Sequence, residues 1–391
     1  MRILFVHNYY QRPGGEDVVV RNEMEVMAEN GHQVWLLSET NTEISDFSSK
    51  LEIALSLAWN KKFELKAKEV IREFQPDIVH VHNIFPMISP SVYDAAIEFN
   101  VPVIQTLHNY RVLCASATLL RKNRICEKCV HGTVFNAILH KCYRGSRLGT
   151  TAVAFMIGIH RKRDTWNQKI DRVIVLTRFA KSKLSHLFEQ SKIAVKPNFL
   201  RDPGKKVRDE KSNHLLFVGR LSEEKGVNLL VSLWRRYPNT LPELRIVGDG
   251  PMLEELSKEN LIGVKLHGYQ EKEEIYEQMM EAKGLLFPSI WYEGFPMVIL
   301  EAYALGLPVL GSNLGSMMNV IEHGKTGLLF DYADVDRAAE SILNYMKDEE
   351  RRKEMSNICR QHYEDNYTPE KNYEYLLKIY EEAIANATMK L

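Results

Sequence analysis

Short apolar runs alternate with amphipathic segments along this chain. Ile3-Leu4-Phe5-Val6, residues 33–37 (QVWLL), 78–81, 103–106 and 173–176 form the series in the first half. Residues 215–218, 244–247, 264–266, 284–287 and 308–310 continue it in the second. Runs this short, set between helical patterns, predict parallel strands buried on both faces in βαβ units. The helical pattern over 16–29 stops before Gly31, where a left-handed residue closes a helix well. Residues 196–210 (KPNFLRDPGKKVRDE) have charge, Pro and Gly but no period, and predict a linker. The fold class expected is therefore α/β, with two doubly wound domains over 1–199 and 200–369. Ligands bind at the carboxyl ends of such sheets, so a cleft between the two is the expected site.

Composition narrows the function. With 45% apolar and 26% charged residues, the chain has material for two cores and is not a disordered chain. Its longest apolar run, residues 152–159 (AVAFMIGI), is far short of the about 20 residues that span a bilayer. The start MRILFVHNYY reads as a first strand rather than a secretory leader, so a cytoplasmic location is expected, with thiols kept reduced. Zero net charge argues against a generally basic nucleic-acid binder, and the basic segment is poor in interleaved aromatics. The neutral total hides a basic segment: residues 111–172 carry a net +10. Such a patch draws phosphate-bearing partners, an anionic membrane surface among them. Residues 148–159 with His160-Arg161-Lys162-Arg163 read either as an interfacial helix or as a core helix with a solvated basic end.

Several motifs sit where chemistry is done. Gly14-Gly15 follows the first strand and opens a helix, which suits either a phosphate or an ordinary tight turn. Arg220 and Lys225 frame the loop GRLSEEKG and can clamp a diphosphate, although Glu223 and Glu224 also fit a solvated surface. Glu293 and Glu301 lie eight residues apart in EGFPMVILE, with Pro296 as the expected first helical residue. Glu293 would stand at a helix N-terminus and Glu301 further along, within reach of a ribose diol. His108 ends a strand and points into the cleft or into the core. Asp334-Val335-Asp336 is better explained by helix capping than by metal binding.

The cysteine pattern is Cys114-x11-Cys126-x2-Cys129-x12-Cys142, with Cys359 far away. It suits a structural Cys₄ zinc site, which would leave no open position for catalysis. Packed reduced thiols and disulfides stay open as alternatives.

Taken together and in order, these motifs resemble the GT4-type family of GT-B glycosyltransferases. The likeness is carried by Gly14-Gly15-Glu16, Gly31-His32, Pro197-Asn198, Gly219-Arg220 with Glu224-Lys225-Gly226, Gly248-Asp249-Gly250-Pro251, Glu293-x7-Glu301, the run GKTGLL from Gly324, and Tyr367-Thr368-Pro369-Glu370. The Cys-rich insert over 111–147 resembles a bacterial subset that builds surface polysaccharides. The resemblance implies a GT-B fold whose final helix, 370–391, crosses back to the first domain. It implies transfer of a sugar from a nucleotide-sugar, a UDP-sugar before a GDP-sugar, to a lipid-linked or polysaccharide acceptor, with retention and no catalytic metal. Arg220 and Lys225 would hold the diphosphate, Glu301 the ribose, and Glu293 with the amides of Phe295 and Met297 the donor sugar and phosphate. Gly15 would press its N–H on phosphate, and His108 would lie beside the transferred sugar. The sequence departs from the family where His-Asp becomes His108-Asn109. It departs again where a Gly-Gly-x-x-Glu motif becomes Gly315-Ser316-Met317-Met318-Asn319.

The chemistry suits the residues. The leaving nucleoside diphosphate gains negative charge, which two cations and helix-terminal N–H groups can stabilise. A GT-B-type nucleotide-sugar epimerase and a non-catalytic scaffold of the same fold remain the alternatives. A scaffold would need none of Arg220, Lys225, Glu293 and Glu301.

Overall fold

The computed structural model describes residues 1–11, 14–41, 53–205 and 211–388. Pro13 of the expected glycine loop, residues 206–210 of the expected linker and residues 389–391 lie outside these. The chain divides into two compact units. Unit 1 comprises Met1–Arg121, Cys126–Asn198 and Glu370–Leu391, and unit 2 comprises Lys122–Ile125 and Phe199–Pro369.

Unit 1 is built on a parallel sheet of six strands. They are β1 (Arg2–Tyr9), β2 (Gln33–Thr40), β3 (Ile78–Val81), β4 (Val103–Leu107), β5 (Arg172–Val175) and β6 (Ile193–Val195). Their spatial order is β2-β1-β3-β4-β5-β6. The chain leaves β1 towards β2, then returns to lay β3 on the other side, so the order reverses between β1 and β3. Strand β3 is buried at every position, as a central parallel strand must be. Strand β6 is an addition to the expected series; its three residues are too few to show a period.

Side chains alternate along β1. Ile3 and Phe5 face one layer, where Ile78, Ile104 and Ile174 from neighbouring strands join them. The final helix, Pro369–Thr388, covers this layer with Leu376, Ile379, Tyr380 and Ala383. The last helix thus completes the core of unit 1, as the family resemblance implied. The expected linker begins too early: Lys196 and Asn198 are buried, and so are Phe199 and Leu200. Charge without period suggests a linker from Lys196, but Lys196 has an internal counter-ion in Glu23.

Unit 2 carries β7 (His214–Val218), β8 (Glu243–Val247), β9 (Val264–Gly268), β10 (Gly284–Phe287), β11 (Val309–Ser312) and β12 (Gly327–Phe330). The order is β9-β8-β7-β10-β11-β12, all parallel, with the reversal between β7 and β10. Strand β12 was present in the sequence only as the GKTGLL motif. Trp234 is the largest fully buried side chain of the unit 2 core, and its indole N–H donates to the Pro242 carbonyl at 3.0 Å. Asp334 caps the helix Val335–Lys347 by accepting from Asp336 and Arg337 N–H groups, which accounts for the DxD sequence.

Leu376 ties the last helix to the sheet of unit 1. Leu376→Ala should cost unit 1 about 2–5 kcal/mol by the transfer and cavity terms, while Leu376→Met should stay under about 1.5 kcal/mol. Denaturant unfolding, followed by a probe in the first unit, measures both.

Candidate functional site

Each unit gathers polar side chains at the reversal point of its own sheet, beyond the carboxyl ends of the strands. In unit 2 the loop after β7 carries Gly219, Arg220 and Leu221, and a short 3₁₀ turn, Glu223–Lys225, presents Lys225. Gly226 follows in the left-handed region (φ 79°), and a Cβ there would lie 1.9 Å from the Pro288 carbonyl oxygen. Only glycine lets this loop press against the end of β10. Gly248 serves similarly, since a Cβ on it would lie 2.0 Å from the Gly219 carbonyl.

Opposite Lys225, the segment after β10 brings in Ser289 and Glu293. Glu293 Oε1 accepts from Lys225 Nζ at 2.7 Å and from Ser289 Oγ at 2.7 Å. Glu293 is buried, and its Oε2 has no protein partner among the described residues. Lys225 keeps a quarter of its side chain exposed and lies 5.5 Å from the Trp291 ring. Arg220 is exposed and makes no ion pair among the described residues. The helix begins at Met297, with Pro296 as its cap rather than its first residue as expected: ψ at Pro296 is 122°, an extended value. Phe295 is buried in edge contact with Tyr367. Glu301 lies on the Met297–Ala304 helix. Burial holds its carboxyl above the usual range, with Lys272 Nζ 4.0 Å away pulling the other way. Lys225, Ser289 and Glu293 are thus in contact, and Arg220 shares the loop. Ser289 was missed because a lone Ser after a strand carries no sequence signal.

In unit 1 a pocket opens at the ends of β3 and β4, lined by Glu16, His82, Asn83, Tyr93, His108 and Arg111 among others. His108 is therefore a pocket residue and not simply a core one. Its Nε2 lies 3.0 Å from His82 Nδ1, and the two rings stack with centroids 5.3 Å apart. Burial, with His7 and Lys196 nearby, pushes His108 down to about 3, so the ring is neutral at pH 7. His82 was missed, although it ends β3 as His108 ends β4. Behind the pocket, Glu23 Oε1 accepts from Lys196 Nζ at 2.6 Å, and both side chains are fully buried.

Gly15 is the exposed first residue of the helix Gly15–Glu29. Asp17 pins the turn before it, bonding the Gly14 N–H at 2.8 Å and His7 Nε2 at 2.7 Å. Next to it, burial pushes the Glu16 carboxyl up to about 8; Asp17 adds to this, and Tyr10, Arg111 and Asn109 oppose it.

The insert packs as a small apolar cluster. Cys129, Val134, Ala137, Val153, Ala154, Met156 and Ile157 form it, with Cys142 at the edge. The helix Arg147–Lys162 is thus a core helix on one face. Its basic end is not wholly solvated: Arg161 donates to the carbonyls of Val112, Leu113 and Cys129. All five cysteines are free thiols, which sets aside the disulfide alternative. A zinc cage needs four thiolate sulfurs about 2.3 Å from one ion. Among the described residues, the group of three or more ligand atoms lying within 4.8 Å of one another is Glu23, His80 and His82. Cys114, Cys126, Cys129 and Cys142 form no such group. Cys114 Sγ lies 3.1 Å from Ser116 Oγ, and Cys129 donates to the Val134 carbonyl. Burial, then the other three cysteines, pushes the Cys129 thiol up to about 11. The four cysteines of the insert nevertheless lie near enough for Cys114, Cys142 and Cys126 all to act on the Cys129 thiol.

With this geometry in view, two family models match the chain. "Glycosyl transferases group 1" matches residues 198–362, and "Glycosyltransferase Family 4" matches residues 13–201. The chain belongs to the GT4-type glycosyltransferases of GT-B fold. A GDP-mannose-dependent alpha-mannosyltransferase of Corynebacterium glutamicum is 28% identical over 73% of this chain and 63% of its own length. An uncharacterised 41.2 kDa protein in the cps region of Klebsiella pneumoniae is 33% identical over 34% of this chain and 37% of its own. The matches thus span less than two thirds of these relatives. Among solved structures, sucrose-phosphate synthase from Thermosynechococcus elongatus superposes with a TM-score of 0.71 at 16% identity, covering 98% of this chain and 99% of that one. Anabaena HepE in complex with UDP gives 0.67 at 16% identity over the full length of both.

Because Glu16 is held protonated by burial, its ionisation on raising the pH works against folding. That cost is absent below pH 4.5, the ordinary value, and is fully developed above about 8. Glu16→Gln should therefore match the wild type in Tm at pH 4 and exceed it progressively up to pH 9. Melting curves across that range check the trend.

Proposed function

We propose that this chain transfers a sugar from a nucleoside-diphosphate sugar to a lipid-linked or polysaccharide acceptor, with retention at the anomeric carbon. The observation that carries the reading is the Lys225–Glu293–Ser289 cluster at the unit 2 reversal point, beside Arg220, which makes no ion pair among the described residues. A departing nucleoside diphosphate needs cationic and N–H donors already in place, and they act most strongly where their surroundings are preorganised. Lys225 is fixed by Glu293, and Arg220 supplies a fork of donors. The N–H groups of Met297 and Val298 begin a helix and have no intrahelical acceptor. In this reading Glu293 uses its second oxygen on the donor sugar, Phe295 and Met297 line the phosphate, and Glu301 takes the ribose hydroxyls. No step in it calls on a metal. Gly15 offers helix-terminal N–H groups to an anion, and His108 faces a sugar in the unit 1 pocket.

UDP is the favoured nucleotide and GDP the second. HepE is a UDP-binding neighbour in fold, and the Corynebacterium relative uses GDP-mannose. The cps-region relative supports a place in surface-polysaccharide assembly.

We assign the basic segment to an anionic membrane face, with the chain working at the cytoplasmic side. No helix among the described residues is long and apolar enough to cross a membrane. However, Leu148 and Phe155 are exposed seven residues apart on the Arg147–Lys162 helix, and Leu139 is exposed on a neighbouring short helix. Apolar side chains standing among Lys141, Arg144, Arg147 and Lys162 suit a headgroup layer.

Thermal shift against UDP, GDP, ADP and their sugars without added metal tests the donor. A ligand at 100 times its Kd should stabilise by about 2.7 kcal/mol. The shift should vanish in Arg220→Ala, and no shift with any nucleotide would count against the reading. Arg220→Ala, Lys225→Ala and Glu293→Ala should each lower turnover by about 10²–10³ with Tm preserved. Co-sedimentation should show binding to phosphatidylglycerol vesicles but not to phosphatidylcholine ones, weakened by salt and by Leu148→Ser/Phe155→Ser.

A further inference from the structure

The unit 1 pocket ends in a row of buried groups that leads away from His108. His108 Nε2 meets His82 Nδ1 at 3.0 Å. His82 Nε2 faces Glu23 Oε2 at 3.5 Å, and these two buried atoms are each without a hydrogen-bond partner among the described residues. Glu23 Oε1 is taken by Lys196 Nζ, which also donates to Asn372 Oδ1 at 2.7 Å. His80 lies alongside, with Glu23 Oε2 4.0 Å from its Nδ1. Both His80 nitrogens are already engaged, by the Tyr380 hydroxyl and by Thr106 Oγ1, each at 2.7 Å. The nitrogen left for Glu23 Oε2 is therefore that of His82.

The protons in this row can be placed by elimination. A carboxylate only accepts, and a bare ring nitrogen facing it would repel it, so His82 Nε2 carries the hydrogen. Burial, with His80, His108, His7 and Lys196 close by, holds His82 well below the ordinary imidazole value, so it is neutral. A neutral ring with Nε2–H has a bare Nδ1, so His108 Nε2 must donate to it. His108 is neutral too, and its Nδ1 is then a pure acceptor. That atom has no partner among the described residues, and His108 lines the pocket.

We propose that Glu23 and His82 are positioning residues that fix the tautomer of His108, so that the pocket presents one hydrogen-bond acceptor to a donating hydroxyl of the sugar. Carboxylates and phosphates offer no donor and are refused at this point; a ring hydroxyl is accepted. The same three side chains could otherwise be read as a cation site. The Lys196 ammonium and the engaged His80 nitrogens favour a row in which His82 Nε2–H faces the Glu23 carboxylate. The inference rests on the sugar-transfer reading only for the identity of the hydroxyl; the tautomers stand apart from it.

Ring ¹⁵N–¹H spectra of the full chain labelled at histidine test the tautomers without any ligand. His82 and His108 should both be Nε2–H and neutral from pH 5.5 to 8.5. In Glu23→Gln/Lys196→Met, which removes the ion pair as a unit, His82 should populate Nδ1–H and drive His108 to the Nδ1–H form. A His108 ring that is Nδ1–H or protonated in the wild type overturns the proposal. So does a His108 tautomer unmoved in the double variant, or a zinc-dependent shift of His82 Nε2. If the double variant does not fold, His82→Phe serves, with His108 then free to exchange tautomers. Titration with UDP-glucose or GDP-mannose, whichever binds, should show Kd raised about 5–10-fold in these variants, with Kd for the bare nucleotide unchanged. Equal weakening of both overturns the positioning role. Wild-type failure to bind any sugar nucleotide, with the tautomers as stated, overturns the transfer reading instead.

Discussion

The ion pair between Lys196 and Glu23 is fully removed from solvent and joins three parts of unit 1. Lys196 follows β6, the last strand of the sheet, Glu23 belongs to the first helix, and Asn372, which also holds the ammonium, sits on the last helix. Taking two charges out of water costs several kcal/mol each, and their attraction with good hydrogen bonds offsets most of it. Such a pair adds little net stability, but losing one partner strands a buried charge at about 3–5 kcal/mol. Its effect is selectivity of arrangement. The final helix, the first helix and the sixth strand meet in one register because any slip leaves the charge unpaired.

That constraint feeds forward to the pocket. Glu23 divides its two oxygens between Lys196 and His82, so the same carboxylate that fixes the packing also orients the His82 ring. The two sheets share a logic here. Each reverses its strand order once, and at each reversal the loops after adjacent strands diverge and leave room. Unit 2 fills the room with Lys225, Ser289 and Glu293; unit 1 fills it with His82, Asn83 and Glu16.

Most of the architecture could be read from residues because buried parallel strands are continuous apolar runs and helices have a period. Ile78–Val81 and Gly284–Phe287 are such runs, and both are central strands. Ile193–Val195 escaped because three residues have no period. Lys196 was misread as linker because sequence cannot show that a charge has a buried partner 173 residues away. The candidate site divides in the same way. Lys225 and Glu293 were legible from loop and helix-end positions, whereas Ser289, His82 and Glu23 depend on contacts between distant segments. The cysteine spacing suits a zinc cage, but spacing along a chain does not by itself place sulfurs around a point. The insert closes by apolar packing and by Arg161 on three carbonyls.

On the sugar-transfer reading, the charges in unit 2 bear on how a diphosphate would be held. Arg220 and Lys225 bring two positive charges, and Glu293 cancels one of them at 2.7 Å. A single net charge cannot balance a leaving group that gains negative charge, so oriented N–H dipoles must supply the remainder. This makes backbone shape more important than side-chain charge at this end of the sheet. Close backbone packing accounts for the glycines here: Gly226 against Pro288, Gly248 against Gly219, and Gly250, whose Cβ would lie 2.4 Å from the Leu221 carbonyl. Adding another cation could not replace them, because the loops carrying Arg220 and Lys225 pack against their neighbours only when those positions lack a side chain.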